Sequence, residues 1–194
     1  MNAQHSSESG EWYTPEKWIR IVRRVLCGID LDPCSSQAAN GIVKARVFFS
    51  ARDNALTRPW SRRSGTGFVN PPGACEPGLL SKYRGCGKNV RCSCALPKRF
   101  LAKSLDEARA GMSIVYLAYS VNQVRHLANA DRSGLRVAVA FPGDRIPYID
   151  PKTMQPQKGT NCDSAFFCLS QRPEVLERFR SEFRAAGCMI LENK

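Results

Sequence analysis

The chain is 194 residues long, 43% hydrophobic and 24% charged, a balance that suits one globular domain with a single core and excludes a low-complexity or disordered chain. Lys and Arg total 29 against 17 Asp and Glu, a formal net charge of +12, which points either to a polyanionic partner or to a basic surface that only aids solubility. The polar start MNAQHSSESGE has no apolar signal core and no run approaches the ~18 apolar residues that span a bilayer, so no membrane segment is expected and the nine cysteines read as reduced thiols or metal ligands.

Residues 1–10 read as a disordered tail, and 11–194 as one domain. Trp18, Ile19, Ile21, Val22, Val25 and Leu26 recur at helical spacing between Pro15 and Gly28, which mark the ends of a first helix. Ile29-Asp30-Leu31-Asp32-Pro33 alternates like a short strand that ends in an acidic turn, and segments 47–49 and 67–69 predict two more short strands. The segment 74–97 is rich in Gly, Lys, Arg and Cys without hydrophobic periodicity, and reads as an insertion. A helix follows through Phe100, Leu101, Leu105 and Ala108, and the apolar run Met112 to Tyr119 has the content of a buried central strand. Residues 121–130 predict a helix, Arg136 to Phe141 and Ser164 to Leu169 predict strands, and Val175, Leu176, Phe179 and Phe183 share one face of a closing helix over 174–186. Alternating strands and helices imply an α/β sheet covered on both faces, with ligands beyond the carboxyl ends of the strands. Asp32-Pro33 and Asn70-Pro71-Pro72 both follow short apolar strands, so they should meet in one crevice.

Two successive prolines remove two backbone donors and hold the chain extended, leaving the Asn70 side chain and nearby carbonyls to accept hydrogen bonds. Such acceptors would grip an exocyclic amine and favour the pyramidal nitrogen of a methyl-transfer transition state, with no general base strictly needed. The same residues also make an ordinary turn, and Asp30 and Asp32 an ordinary solvated turn or helix cap. His5 and His126 are the chain's two histidines, which counts against a histidine-based hydrolase, nuclease or metal-catalytic centre.

Four blocks follow in order: Glu11-Trp12-Tyr13-Thr14-Pro15; Ile29 to Pro33 with Asn40 and Lys44-Ala45; Asp53-Asn54-Ala55-Leu56 with Trp60; and Phe68-Val69-Asn70-Pro71-Pro72. In order and spacing they resemble the phage-type DNA adenine N6-methyltransferases, and Tyr119-Ser120-Val121-Asn122-Gln123 and the stretch from Phe141 to Pro151 look like later blocks of that family. The resemblance implies a Rossmann-like S-adenosylmethionine-dependent methyltransferase domain that acts on a flipped adenine in double-stranded DNA, in a bacterial cytoplasm and encoded by a phage or prophage. It assigns Asn70, Pro71 and Pro72 to the target amine, and Trp12, Tyr13, Thr14, Pro15, Asp30, Asp32 and Pro33 to the cofactor. Asp32 would meet a polar or cationic part of S-adenosylmethionine, and Asp53 and Leu56 would frame its adenine. Two positions depart from the pattern. Cys34-Ser35-Ser36-Gln37 stands where many methyltransferases carry a glycine-rich loop, and Gly73 stands where many adenine enzymes carry an aromatic residue that stacks on the extruded base. Tyr83, Tyr119 and Tyr148 are the candidate replacements.

Cys75, Cys86, Cys92 and Cys94 are close enough in sequence to hold one tetrahedral zinc, although the spacing lacks C-x2-C knuckles, and without metal the segment is a reduced loop. Lys82, Arg84, Lys88, Arg91, Lys98 and Arg99 lie in or beside it and would grip DNA phosphates, with the basic loop from Asp144 to Lys158 sharing target recognition. Cys168 reads as core. Three other readings stay open: a catalytically inactive DNA-binding protein of the same fold, a methyltransferase for another exocyclic amine (cytosine N4, RNA or protein), and a zinc-stabilised interaction module.

Overall fold

The computed structural model describes residues 12–60, 65–73, 95–157 and 163–192. In chain order these form α1 (Glu16–Leu26), β1 (Leu31–Asp32), α2 (Gln37–Val43), β2 (Val47–Phe48), a 3-10 turn (Ala51–Asp53), β3 (Thr66–Val69), α3 (Leu96–Arg109) and β4 (Ser113–Ala118). There follow α4 (Val121–Asn129), β5 (Arg136–Phe141), β6 (Ala165–Ser170), α5 (Pro173–Ala185) and β7 (Met189–Glu192). The seven strands make one mixed sheet in the order β2-β1-β3-β4-β6-β5-β7. β2, β1, β3 and β4 run parallel, while β6 is antiparallel to both β4 and β5, and β7 is antiparallel to β5. This is an α/β architecture with helices on both faces of the sheet.

The period-2 alternation of the central strands sorts the core into two layers. On β6, Phe166 and Cys168 join the layer under α1 and α5, with Trp18, Val22, Phe179 and Phe183. Phe167 and Leu169 join the opposite layer under α3, with Phe100, Leu105 and Tyr116. Trp18 lies 5.3 Å from Phe166 between ring centroids, and Phe166 4.9 Å from Phe183, so α1, β6 and α5 interlock through aromatic rings.

α1 ends where Cys27 turns left-handed at φ 57° and Gly28 follows at φ 116°, its N–H closing on Arg23 O at 2.9 Å. Gly28 thus marks the helix end the sequence predicts. The helices over α3, α4 and α5 and the strands β2 to β6 also appear where periodicity places them. Three elements have no counterpart in the sequence pattern: α2, the 3-10 turn over Ala51–Asp53, and β7. α2 is seven residues long and stands on caps: Ser36 Oγ accepts from Ala39 N–H at 3.1 Å, and Asn40 Oδ1 accepts from Ala45 N–H at 2.9 Å. β7 adds an edge strand after the closing helix. The Cys-rich insertion expected over 74–97 has its C-terminal boundary corrected, because Leu96 and Pro97 already form the first turn of α3, where proline needs no N–H partner. The rest of that segment from 74 to 94, and the expected tail, lie outside the described residues. No helix among the described residues is long and apolar enough to cross a membrane.

Candidate active site at the carboxyl ends of beta1 and beta3

β1 continues outward to β2 on one side of the sheet and β3 to β4 on the other, so the order reverses between β1 and β3. At such a switch point the connections leave in opposite directions and open a crevice beyond the strand ends. A cavity of about 480 Å³ lies there, within the size range of cofactor-binding pockets. Asp32, Pro33 and the turn Cys34-Ser35-Ser36 after β1 line it, as do Asn70, Pro71 and Pro72 after β3. The two motifs that sequence placed in one crevice share it.

Ala39 and Val43 of α2 and Phe68 of β3 add apolar wall, and three further segments complete the lining. Trp12, Tyr13 and Thr14 form a strap over one side, Asn54, Ala55 and Leu56 come from the loop after β2, and Leu96 and Phe100 come from α3. The loop is fixed from behind, since Trp60 Nε1 donates to Ala55 O at 2.8 Å and Trp60 N–H donates to Glu107 of α3 at 3.1 Å. The first turn of α3 is fixed in turn by Tyr116, whose hydroxyl donates to Pro97 O at 2.8 Å and accepts from Gln123 Nε2 at 3.1 Å. Gln123 Oε1 also takes Tyr119 N–H at 2.8 Å, which ties the β4–α4 turn to the same network.

Asn70 is half-buried and donates through Nδ2 to Trp12 O at 2.7 Å and to Thr14 Oγ1 at 3.3 Å. Its Oδ1 has no hydrogen bond among the described residues, so the acceptor end of the amide is the end left for a ligand. Asp32 is 2% exposed and receives Cys34 N–H at 3.0 Å. Burial pushes its carboxyl up to about 6 even though the Cys34 and Ser35 hydrogen bonds oppose the rise. A carboxylate so short of solvation favours a cationic neighbour, which would restore the ionised form. Desolvation and the adjacent Asp32 push the Cys34 thiol well up, so this wall carries a neutral thiol and not a nucleophile.

Other sequence-predicted residues fall elsewhere. Asp30 sits at the opposite, amino end of β1, where its Oδ2 accepts from Thr66 N–H and Oγ1 at 3.0 Å each and its Oδ1 meets Arg46 at 3.2 Å. It pins the start of β3 and does not line the cavity. Asp53 does not line it either. Its carboxylate accepts from Ser50 N–H and Oγ at 2.8 Å, which lowers its pKa and folds the 3-10 turn that presents Asn54 to Leu56. Pro15 caps α1 behind the strap, its carbonyl accepting from Trp18 N–H at 3.0 Å. Tyr148 is buried and hydrogen-bonded to Ser164 at 2.8 Å, away from the lining, and Tyr119 is not part of the lining.

The aromatic walls are Trp12, Tyr13, Phe68 and Phe100. By sequence Phe100 belongs to the apolar face of a helix. Its ring stacks on Trp60 at 6.1 Å between centroids, and its place on the cavity follows from the packing of α3 over β4, the neighbour of β3, which no local pattern encodes. Lys98 is exposed and Arg99 half-buried on that same first turn of α3. Cys75, Cys86, Cys92, Cys94, Lys82, Arg84, Lys88, Arg91 and Tyr83 lie outside the described residues, and among the described residues no group of three or more His, Cys, Asp or Glu could hold a metal ion. Cys168 is fully buried in the core as read. Comparison of the chain with protein-family models and with curated proteins finds no match to either.

Proposed function

We propose that the chain is an S-adenosylmethionine-dependent DNA methyltransferase acting on the exocyclic amine of adenine. One observation carries the reading. A buried carboxylate and an asparagine whose amide oxygen is left to accept stand on the walls of one cavity at the switch point of the sheet. The fit to the cofactor rests on the donor set: Asp32 suits a cationic group, and the strap Trp12 to Thr14 with Asn54 and Leu56 gives a mixed apolar and polar wall for a nucleoside. Bound there, S-adenosylmethionine would supply the electrophilic methyl group.

The chain's own residues supply orientation and charge stabilisation. Asn70 Oδ1 accepts an amine hydrogen and draws the nitrogen lone pair out of conjugation with the ring as it becomes the nucleophile. Pro71 and Pro72 add no N–H that could compete as a donor to that lone pair. Trp12 and Phe100 are aromatic residues of the lining that could stack on a base in place of the ring that Gly73 lacks. A duplex adenine must leave the stack to reach the cavity, and the net charge of +12, with Lys98 and Arg99 on the α3 turn that lines the cavity, favours the phosphate contacts that offset the cost.

The test is transfer of tritiated methyl from S-adenosylmethionine to unmethylated DNA, read after digestion to nucleosides. Label in N6-methyladenine that falls about 10²- to 10³-fold in Asn70→Ala is the expected result, the scale of losing one oriented polar group at a reacting centre. Label in N4-methylcytosine would move the substrate to another amine. No label, with no cofactor binding by calorimetry, would overturn the enzyme and leave a DNA-binding protein of this fold, the reading that Gly73 and the glycine-free turn Cys34 to Ser36 favour.

A further inference from the structure

A primary amide is nearly symmetric in shape but has two donor hydrogens at one end and an acceptor oxygen at the other, so nothing in Asn70 itself decides which end meets a ligand. Its neighbours decide. Trp12 O is a backbone carbonyl and can only accept, so a half-turn of the amide would set two oxygens 2.7 Å apart. Thr14 Oγ1, at 3.3 Å on a side chain 3% exposed, takes part in holding the same nitrogen. The strap that carries both acceptors is itself held: Tyr13 N–H donates to Ile149 O at 3.0 Å, and Ile149 N–H donates back to Tyr13 O at 2.9 Å. Ile149 sits in a turn closed by Gln157 N–H to Tyr148 O at 2.8 Å and by Gln157 Nε2 to the Asp150 carboxylate at 2.9 Å.

We propose that Thr14, together with the Trp12 carbonyl, is a positioning residue that makes Asn70 an acceptor-only grip, so that the site admits an amino group and rejects an oxo group in the same place. The inference rests on the proposed reaction for its substrate but not for its geometry. A base that carries a carbonyl where adenine carries its amine would meet Oδ1 oxygen to oxygen, and with both amide hydrogens engaged the side chain cannot turn to satisfy it. Discrimination between amino and oxo bases then resides in the strap, outside the motif that contacts the base.

Two measurements on the full chain test this, one independent of activity. In the free protein the Asn70 side-chain NH₂ signals, followed by 15N NMR, should exchange slowly with solvent, lose that protection in Thr14→Val and keep it in Thr14→Ser. Fast exchange in the unaltered protein would overturn the proposal whether or not the chain is an enzyme. In methyl-transfer assays, Thr14→Val should lower kcat about 10- to 100-fold, the scale of a small misplacement of a reacting group, with Thr14→Ser restoring it and DNA bearing hypoxanthine at the target adenine failing to compete. A rise in the cofactor KM with kcat unchanged would assign Thr14 to the cofactor instead and overturn the positioning role. If the unaltered chain transfers no methyl group at all, the proposed function falls and the NMR result alone decides.

Discussion

β1 and β2 hold two residues each and β3 holds four, whereas β4, β5 and β6 hold six each. The short parallel strands β1 and β3 end in Asp32-Pro33 and Asn70-Pro71-Pro72 and line the cavity, while the long strands β4 and β6 are buried along their whole length and set Tyr116, Phe166 and Phe167 into the two core layers. Proline ends ladder pairing, so a strand that stops early at proline leaves its terminal residues to a ligand instead of to a neighbour. Stability is thus concentrated in the mixed half of the sheet around β4 and β6, and the candidate site in the parallel half, which tolerates a buried carboxylate that a core would not.

That division is open to direct attack, and the largest effect should come from the core side. Phe166→Ala removes a fully buried ring that packs on Trp18 and Phe183, and should cost about 3–5 kcal/mol in urea unfolding, with activity per folded molecule unchanged. A loss below about 1 kcal/mol would show that β6 is not the anchor of the fold.

Asp32→Asn should act in the opposite direction. The folded chain holds this carboxyl at about 6 against 3.8 for a solvated aspartate, so its ionised form destabilises the fold. Because the folded value is the raised one, the penalty is absent below about pH 4, grows between about pH 4 and 6, and is complete above, at about 2–3 kcal/mol. The asparagine variant should therefore melt higher than the native chain at pH 8 and together with it at pH 4, while calorimetry shows weaker binding of S-adenosylmethionine. Equal melting at both values would mean that the site already compensates the charge. Ser36→Ala gives the smallest effect, about 1 kcal/mol for a lost cap on α2, and it also removes the 3.2 Å contact between Ser36 and the Tyr13 hydroxyl. A change in cofactor affinity larger than that in stability would place Ser36 on the functional side of the division.

The same contrast governs what sequence could reveal. The long apolar run of β4 and the helical spacing of α1 and α5 declare themselves because burial imposes a period on them. The convergence of Asp32 and Asn70 was legible for a different reason: both follow strand-like segments, and strand ends of an α/β sheet face one crevice. Which acidic residue faces it was not legible. Asp30 and Asp32 lie two residues apart and so share a face, and only their places along the chain separate them: Asp30 meets Thr66 at the amino end of β1 and β3, and Asp32 meets the cavity at the carboxyl end. α2 escaped because seven residues containing Gly41 have too little periodicity, and its caps do the holding. β7 escaped because Met189 and Leu191 point outward, 60% and 53% exposed, so the strand shows its apolar residues on the wrong face for a pattern search. The insertion of β6 between β4 and β5 leaves no local trace at all.

That insertion also sets an order of assembly during synthesis. β4 ends at residue 118 and β5 at residue 141, yet the strand that joins them ends at residue 170. A growing chain therefore completes the walls of the cavity while two of its longest strands still lack the neighbour that will lie between them, and the closing step is a non-local pairing, the slow kind. For that interval the nascent protein exposes backbone edges able to pair with another chain. Damage to β6 would then show first as material lost to aggregates on the way out of the ribosome, and only afterwards as a less stable folded chain.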